Sequence, residues 1–202
     1  MKKISFKGIN FYTGTYNQIK KQFDKGGVLV APAASALANI ENNNIYFSSL
    51  RNANIAILDS GFFCILLRIF KFEKVKKLSG FLFLKNFLEN FNNKDRILFI
   101  DPSKKSYYLN KKYLKSTKIY NFKSYIAPHY KKKITDHLLL SLVKKYKPRY
   151  IIINIGGGTQ EPLAIYLRNN IKFKISIMCT GAAIAFMTGE QAPINKIIDK
   201  IY

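Results

Sequence analysis

The chain has no tryptophan, two cysteines, two histidines, and 11 acidic residues against 34 lysines and arginines. Each shortage excludes something. Cys64 and Cys179 lie far apart in apolar runs, with no CxxC and no cysteine–histidine cluster. They read as small core hydrophobes in a reducing, cytosolic compartment rather than as a disulfide framework. Around His129 and His137 the neighbours are basic, and apart from Asp136 no Cys, Asp or Glu falls at ligand spacing, which argues against a metal site. The longest apolar run, Gly61 to Phe70, is half the length needed to cross a bilayer and contains Arg68. Met1-Lys2-Lys3 leads into a strand-like segment, not into a signal-peptide core. There is no P-loop, no spaced GxGxxG and no GxSxG elbow. Internal repeats and low-complexity linkers are missing too, so 202 residues are expected to form one domain.

What is present is apolar mass and positive charge. Hydrophobic residues make up 48%, enough to fill a core and exclude disorder. A net charge of +23 favours anionic partners: nucleic acid, anionic lipid headgroups or diphosphate-bearing substrates. A merely solvated lysine surface is the plainer alternative. The basic stretches Lys71–Lys77, Lys104–Lys118 and Lys131–Lys133 are interleaved with Tyr and Phe, as on nucleic-acid binders. No zinc finger, RNP motif or recognition-helix pair accompanies them, so nucleic acid has charge alone in its favour.

Periodicity predicts strands over Ile4–Tyr12, Val28–Val30, Ile55–Leu58, Arg96–Ile100, Lys118–Phe122, Tyr150–Ile155 and Phe173–Cys179. Helices are expected near 16–25, 34–42, 62–70, 81–91 (opening at Ser79), after Ser103, 132–146, 161–168, after Gly181, and from Pro193. Short apolar strands alternating with helices imply βαβ units: an α/β, Rossmann-like fold, mainly parallel, with helices on both faces. Ligands of such folds sit at the carboxyl ends of the strands. Asp59-Ser60-Gly61, Gly156–Glu161 and Thr180-Gly181-Ala182 all fall there and could line one crevice.

Gly156-Gly157-Gly158-Thr159-Gln160-Glu161 follows a buried strand and opens a helix. Glycines allow positive φ and close backbone approach, and the helix start offers free N–H groups. Gln160 carries both donors and acceptors. The turn is either a ligand site or simply a tight connection. Asp59 reads locally as an N-cap of the helix that follows, ahead of a general base in a partly desolvated position. His129, in a Tyr/Pro loop (124–130), is a ligand contact or a surface histidine.

Taken in order, these strings resemble the WecG/TagA/CpsF glycosyltransferases (family 26). The family's glycine-rich turn ending in Gln-Glu matches Gly156–Glu161, with Thr159 where a Lys is usual. Its GAAxDFxxG…AP block matches Gly181–Gly189 followed by Ala192-Pro193, its ADxxLxDG block resembles Ala53–Gly61, including Asp59, and its RxxG element matches Lys77-Leu78-Ser79-Gly80. The resemblance spans nearly the whole chain. It implies an inverting, metal-independent transfer of a hexose-type sugar, such as N-acetylmannosamine, from a UDP-sugar to a polyprenyl-diphosphate-linked acceptor, with no cofactor. Asp59 would be the catalytic base. Gly156, Gly157, Gly158, Gln160, Glu161, Thr180, Gly181 and Ala182 would hold the nucleotide sugar, and Lys77 and Ser79 the acceptor diphosphate. The expected place is the inner face of the cell membrane, touched peripherally; a homo-oligomer stays open.

Departures from the family pattern cluster at polar positions. Ala31 and Ala33 stand for a Thr and an Asn, Ala185 for the Asp of the DF pair, Gln191 for the Arg before AP, and Lys77 for the Arg of RxxG, which loses a bidentate fork. Asp101-Pro102 replaces a glycine pair. The sequence ends at Tyr202, where the family continues into an Arg-rich appendage associated with membrane docking. A second expectation therefore stands beside the first: a non-catalytic relative serving as partner or scaffold.

Overall fold

The computed structural model describes residues 1–38, 40–71, 75–131 and 134–192. The expected helix from Pro193, the Pro193 of the family block, and parts of two basic stretches (72–74, 132–133) lie outside these residues.

The chain opens with β1 (Lys2–Phe6) and β2 (Ile9–Thr13), an antiparallel hairpin in which Phe6 pairs with Ile9. One continuous strand over 4–12 was expected; the turn between has Lys7 at φ 49° and Gly8 at φ 78°. Both central residues are left-handed, the twist that two-residue hairpins favour. The pattern carried a trace of it: apolar Ile4 and Phe6 fall on even positions, Ile9 and Phe11 on odd ones.

Helix α1 (Tyr16–Phe23) is opened by a Thr15–Gln18 capping box and leads to β3 (Gly27–Val30). The helix expected over 34–42 is broken into α2 (Ala34–Ala38) and a 3-10 turn (Ile40–Asn42). A further helix, α3 (Asn44–Arg51), not among those expected, is capped by Asn43 and buries Tyr46, Ser49 and Leu50. Then come β4 (Ile55–Ile57), α4 (Gly61–Lys71) and α5 (Gly80–Glu89) with Ser79 as N-cap.

β5 (Ile97–Asp101) leads into α6 (Lys104–Ser116). The strand expected at 118–122 lies at β6 (Phe122–Ile126), because α6 ends in a Schellman turn. Lys118 takes φ 60° and the Ile119 N–H reaches back to the Leu114 carbonyl at 2.9 Å. That turn consumes the apolar Ile119, which is 2% exposed, and delays the strand. The remainder is α7 (His137–Tyr146, capped by Asp136), β7 (Tyr150–Ile153), α8 (Gln160–Asn170), β8 (Ser176–Cys179) and α9 (Ala183–Thr188).

The strands form one sheet in the order β1-β2-β4-β3-β8-β7-β5-β6, parallel except for the β1–β2 hairpin. Strand alternation splits the core into two layers. Val28, Val30, Ile151 and Ile153 face α2, α3, α4, α7 and α8. Leu29, Ile57, Phe99 and Ile152 face α1, α5, α6 and α9. Ile152 is fully buried, so truncating it to Ala removes about 2–5 kcal/mol. Every parallel strand thus aims its carboxyl end at the same edge, and that edge carries the loops of interest.

Candidate functional site

Asp59 follows β4 immediately. Residues 75–79 run back beside that strand end, because the Leu78 N–H donates to the Leu58 carbonyl at 3.0 Å. This brings Lys77, Ser79 and Gly80 next to Asp59. The Asp59 Oδ1 accepts the Gly80 N–H at 2.6 Å, across 21 residues of chain. Asp59 therefore does not cap the helix that follows it. Ser60 does, its hydroxyl accepting the Phe63 N–H at 3.2 Å. Asp59 instead holds the first turn of α5, where the helix dipole also favours a negative charge. Ser79 spends its hydroxyl on the Leu82 N–H of that turn, at 3.1 Å.

Gly80 is required by packing. A Cβ there would meet the Ala31 Cβ at 2.9 Å and the Thr180 Cγ2 at 3.3 Å. Three strand ends converge at this point: Asp59 and Gly80 after β4, Ala31 after β3, Thr180 after β8. Ala31, where the family pattern has a hydroxyl, presents a methyl group. The Thr180 hydroxyl beside it is buried without a partner among the described residues.

From Thr180 the contacts continue to the glycine turn. The Gly181 N–H donates to Gln160 Oε1 at 3.0 Å, Gln160 Nε2 donates to Glu161 Oε1 at 3.0 Å, and the Gly158 N–H donates to Glu161 Oε2 at 2.8 Å. Gln160 and Glu161 are 3% and 1% exposed. Their side chains tie the turn after β7 to the turn after β8. Burial pushes the Glu161 carboxyl up, against the pull of the Gly158 and Gln160 donors. The three glycines differ in kind. Gly158 has φ +81°, which needs glycine. Gly156 and Gly157 lack positive φ, and a Cβ on either would meet nothing within 4 Å. Open space lies before them.

Gly156 borders a cleft of 440 Å³ with Ala182, Ala185, Asn110, Asn154, Pro102 and Glu190. Asp59, Lys77 and Ser79 are not in its walls. Beneath it lies a buried polar cluster that sequence reasoning did not single out. Asp101 Oδ1 accepts from Asn110 Nδ2 at 2.8 Å and from Asn154 Nδ2 at 2.9 Å. Asp101 Oδ2 and both Asn Oδ1 atoms have no partner among the described residues. Burial pushes the Asp101 carboxyl up; the two amides and the nearby Ser124 hydroxyl pull against this and the Glu190 charge adds to it. Glu190 is held by the Ser106 hydroxyl at 2.9 Å. It places a carboxylate on the cleft whose wall at Ala185 lacks the family's Asp. The signals were an Asn at the end of an apolar strand and an acid in an acid-poor chain. On the other side of the glycine turn, Gly158 and Thr159 border a second opening of 530 Å³ with Asn43, Tyr130 and Lys131. His129 lines neither opening.

Among the described residues, no three His, Cys, Asp or Glu come close enough to hold a metal ion, and no helix is long and apolar enough to cross a membrane. Cys64 and Cys179 are both buried thiols.

A mainly parallel sheet covered on both faces, with helix-opening loops gathered along one edge, defines a Rossmann-like α/β protein. Within that class, the sequence model of the glycosyl transferase WecG/TagA/CpsF family matches residues 3–202. The chain belongs to that family, whose members are glycosyltransferases of cell-envelope polysaccharide synthesis. No curated protein matches it in sequence.

Proposed function

We propose that the chain transfers a hexose-type sugar from a UDP-sugar to a polyprenyl-diphosphate-linked acceptor, with inversion and without a metal. The observation that carries this reading is the placement along one edge of Asp59, bonded to Gly80 close beside Thr180, and of the glycine turn, tied to Gly181 through Gln160 and Glu161. It puts a carboxylate and an open glycine turn on the same edge.

In this reading Asp59 takes the proton of the acceptor hydroxyl as that oxygen attacks the anomeric carbon. The bond from that carbon to the UDP oxygen breaks, and its electron pair stays on the diphosphate. Backbone at Gly156 and Gly157 receives that charge, since the N–H groups opening α8 are spent on the Gly156 carbonyl and the Glu161 carboxylate. Gln160 and Glu161 act by holding the turn, since their side chains are spent internally. Thr180, Gly181 and Ala182 border the donor, Glu190 and Asn154 offer polar contacts to the nucleoside end, and Lys77 and Ser79 stand beside the acceptor diphosphate.

UDP tests the donor half. At a hundred times its dissociation constant it stabilises the fold by about 2.7 kcal/mol, or roughly 5–11 °C in Tm for a chain of this size. No shift with UDP or any UDP-sugar at millimolar concentration would overturn the reading.

The methyl groups of Ala31 beside Gly80 and of Ala185 in the cleft wall favour a second reading, a relative that binds without turnover. Transfer of a radiolabelled sugar to a lipid-linked acceptor rules it out; UDP binding with no product supports it.

A further inference from the structure

Helix α4 starts two residues after Asp59 and is apolar around most of its circumference. Phe63, Cys64 and Leu67 are buried against the sheet. The opposite stripe is not. Phe62, Ile69 and Phe70, at spacings of seven and eight, are 57%, 59% and 74% exposed. A helix that is apolar all round normally lies inside a protein. Beside the stripe runs a groove of 290 Å³ walled by Phe6, Ala34, Leu37, Leu66, Phe62 and Phe70. Contiguous apolar ground of this kind on a surface marks an interaction site.

The rim is basic. Period-two alternation puts Lys2 on the same face of β1 as the groove residue Phe6. Lys7 stands in the hairpin turn, paired with Glu41 at 2.8 Å, and Arg68 on α4 keeps its charge while its guanidinium donates to the Val75 carbonyl at 2.7 Å.

We propose that the open stripe of α4 docks on an anionic lipid bilayer, with Phe62, Ile69 and Phe70 entering the boundary between headgroups and acyl chains. A second copy of the chain would also cover the stripe, but it would set two molecules of net charge +23 rim to rim. An anionic leaflet satisfies the apolar stripe and the basic rim together. The use of such a surface rests on the transferase reading: a lipid-linked acceptor presents its diphosphate in the headgroup plane, and α4 carries Asp59 at its leading end. The observations themselves do not depend on that reading.

The absence of tryptophan makes Phe70→Trp a single fluorescent reporter in the full chain. Mixed with phosphatidylglycerol/phosphatidylcholine vesicles, its emission is expected to shift to the blue and to be quenched by brominated acyl chains. Phosphatidylcholine vesicles alone should leave it unchanged. Replacing both Ile69 and Phe70 by Glu should weaken sedimentation with the anionic vesicles about tenfold or more, with Tm unchanged because both side chains are exposed. Sedimentation without any change in emission overturns the proposal, since the chain then docks elsewhere. Equal response to both vesicle types overturns the anionic preference. A blue shift that grows with protein concentration in the absence of lipid assigns the stripe to a second copy and also overturns it. Loss of the UDP-induced Tm shift with docking intact would sink the transferase reading alone.

Discussion

Asp59→Asn keeps the shape of the side chain and one acceptor oxygen but removes the charge. In the native chain that oxygen takes the Gly80 N–H at 2.6 Å, at the first turn of α5. A hydrogen bond to a charged group contributes about 1.5–3 kcal/mol and a neutral one about 0.5–1.5. The helix dipole adds about 0.3–1 kcal/mol for a carboxylate at this position. The half-buried carboxylate also loses some hydration, which the amide loses less of, so the net cost is about 1–2 kcal/mol. For a chain of this size that lowers Tm by roughly 2–8 °C. Transfer should fall far more, about 10²–10⁴-fold, the usual contribution of a positioned general base. The UDP-induced shift should survive, because Asp59 is not in the wall of the cleft that Gly156 borders. Thr15→Ala is the control: it removes the cap of α1, a helix that packs on α5 and β3, at a similar cost of about 1 kcal/mol and without touching the Asp59 charge. Differential scanning fluorimetry with and without UDP, together with a radiolabelled transfer assay, reads all three quantities. If Asp59→Asn keeps more than about a tenth of the transfer rate, Asp59 is not the base. If Thr15→Ala loses transfer to the same extent, instability explains the loss and the assignment fails.

The glycine turn makes a paired prediction. Gly158→Ala forces a methyl group into φ +81° and should cost about 1–2 kcal/mol. Gly157→Ala meets open space and should leave stability level or slightly raised, yet weaken the UDP-induced Tm shift by occupying ligand space. An unchanged shift would refute backbone approach at this turn. Asp101 carries a pH dependence. Its folded carboxyl binds a proton more tightly than the ordinary aspartate value of 3.8, so the folded state holds more protons than the unfolded one in that window. Stability therefore falls as pH rises from the ordinary value through the raised one, and stays level above it. Asp101→Asn removes the titrating group and abolishes the decline; urea unfolding between acid and neutral pH checks this, and identical profiles would refute it.

Much of the fold was legible because it is local. Val28–Val30, Ile55–Ile57 and Tyr150–Ile153 are short apolar strands followed by turn residues, and their alternation with helices dictates a parallel sheet. Errors arose where one residue served a different local structure. Ile119 belongs to a helix C-cap rather than to β6, and Gly8 turns a hairpin inside what reads as one strand. Local periodicity cannot separate these, because an apolar residue satisfies either.

The site divides the same way. Sequence alone determined that Asp59, the glycine turn and Thr180-Gly181 would stand at strand ends, because a parallel α/β order puts every such loop on one edge. Tertiary structure alone decided what each group touches there. Asp59 finds its partner in Gly80, 21 residues on, because the extended segment before α5 hydrogen-bonds back to the end of β4. Gln160 and Glu161, which the sequence offers as ligand readers, turn inward, because two adjacent loops with unsatisfied N–H groups needed buried acceptors. Glu190 and the Asp101 cluster reach the cleft from segments with no shared motif, since only chain packing brings β5, α6 and the end of α9 together. Composition and periodicity record which faces avoid water; which polar groups pair is decided by distances that exist only once the chain is folded.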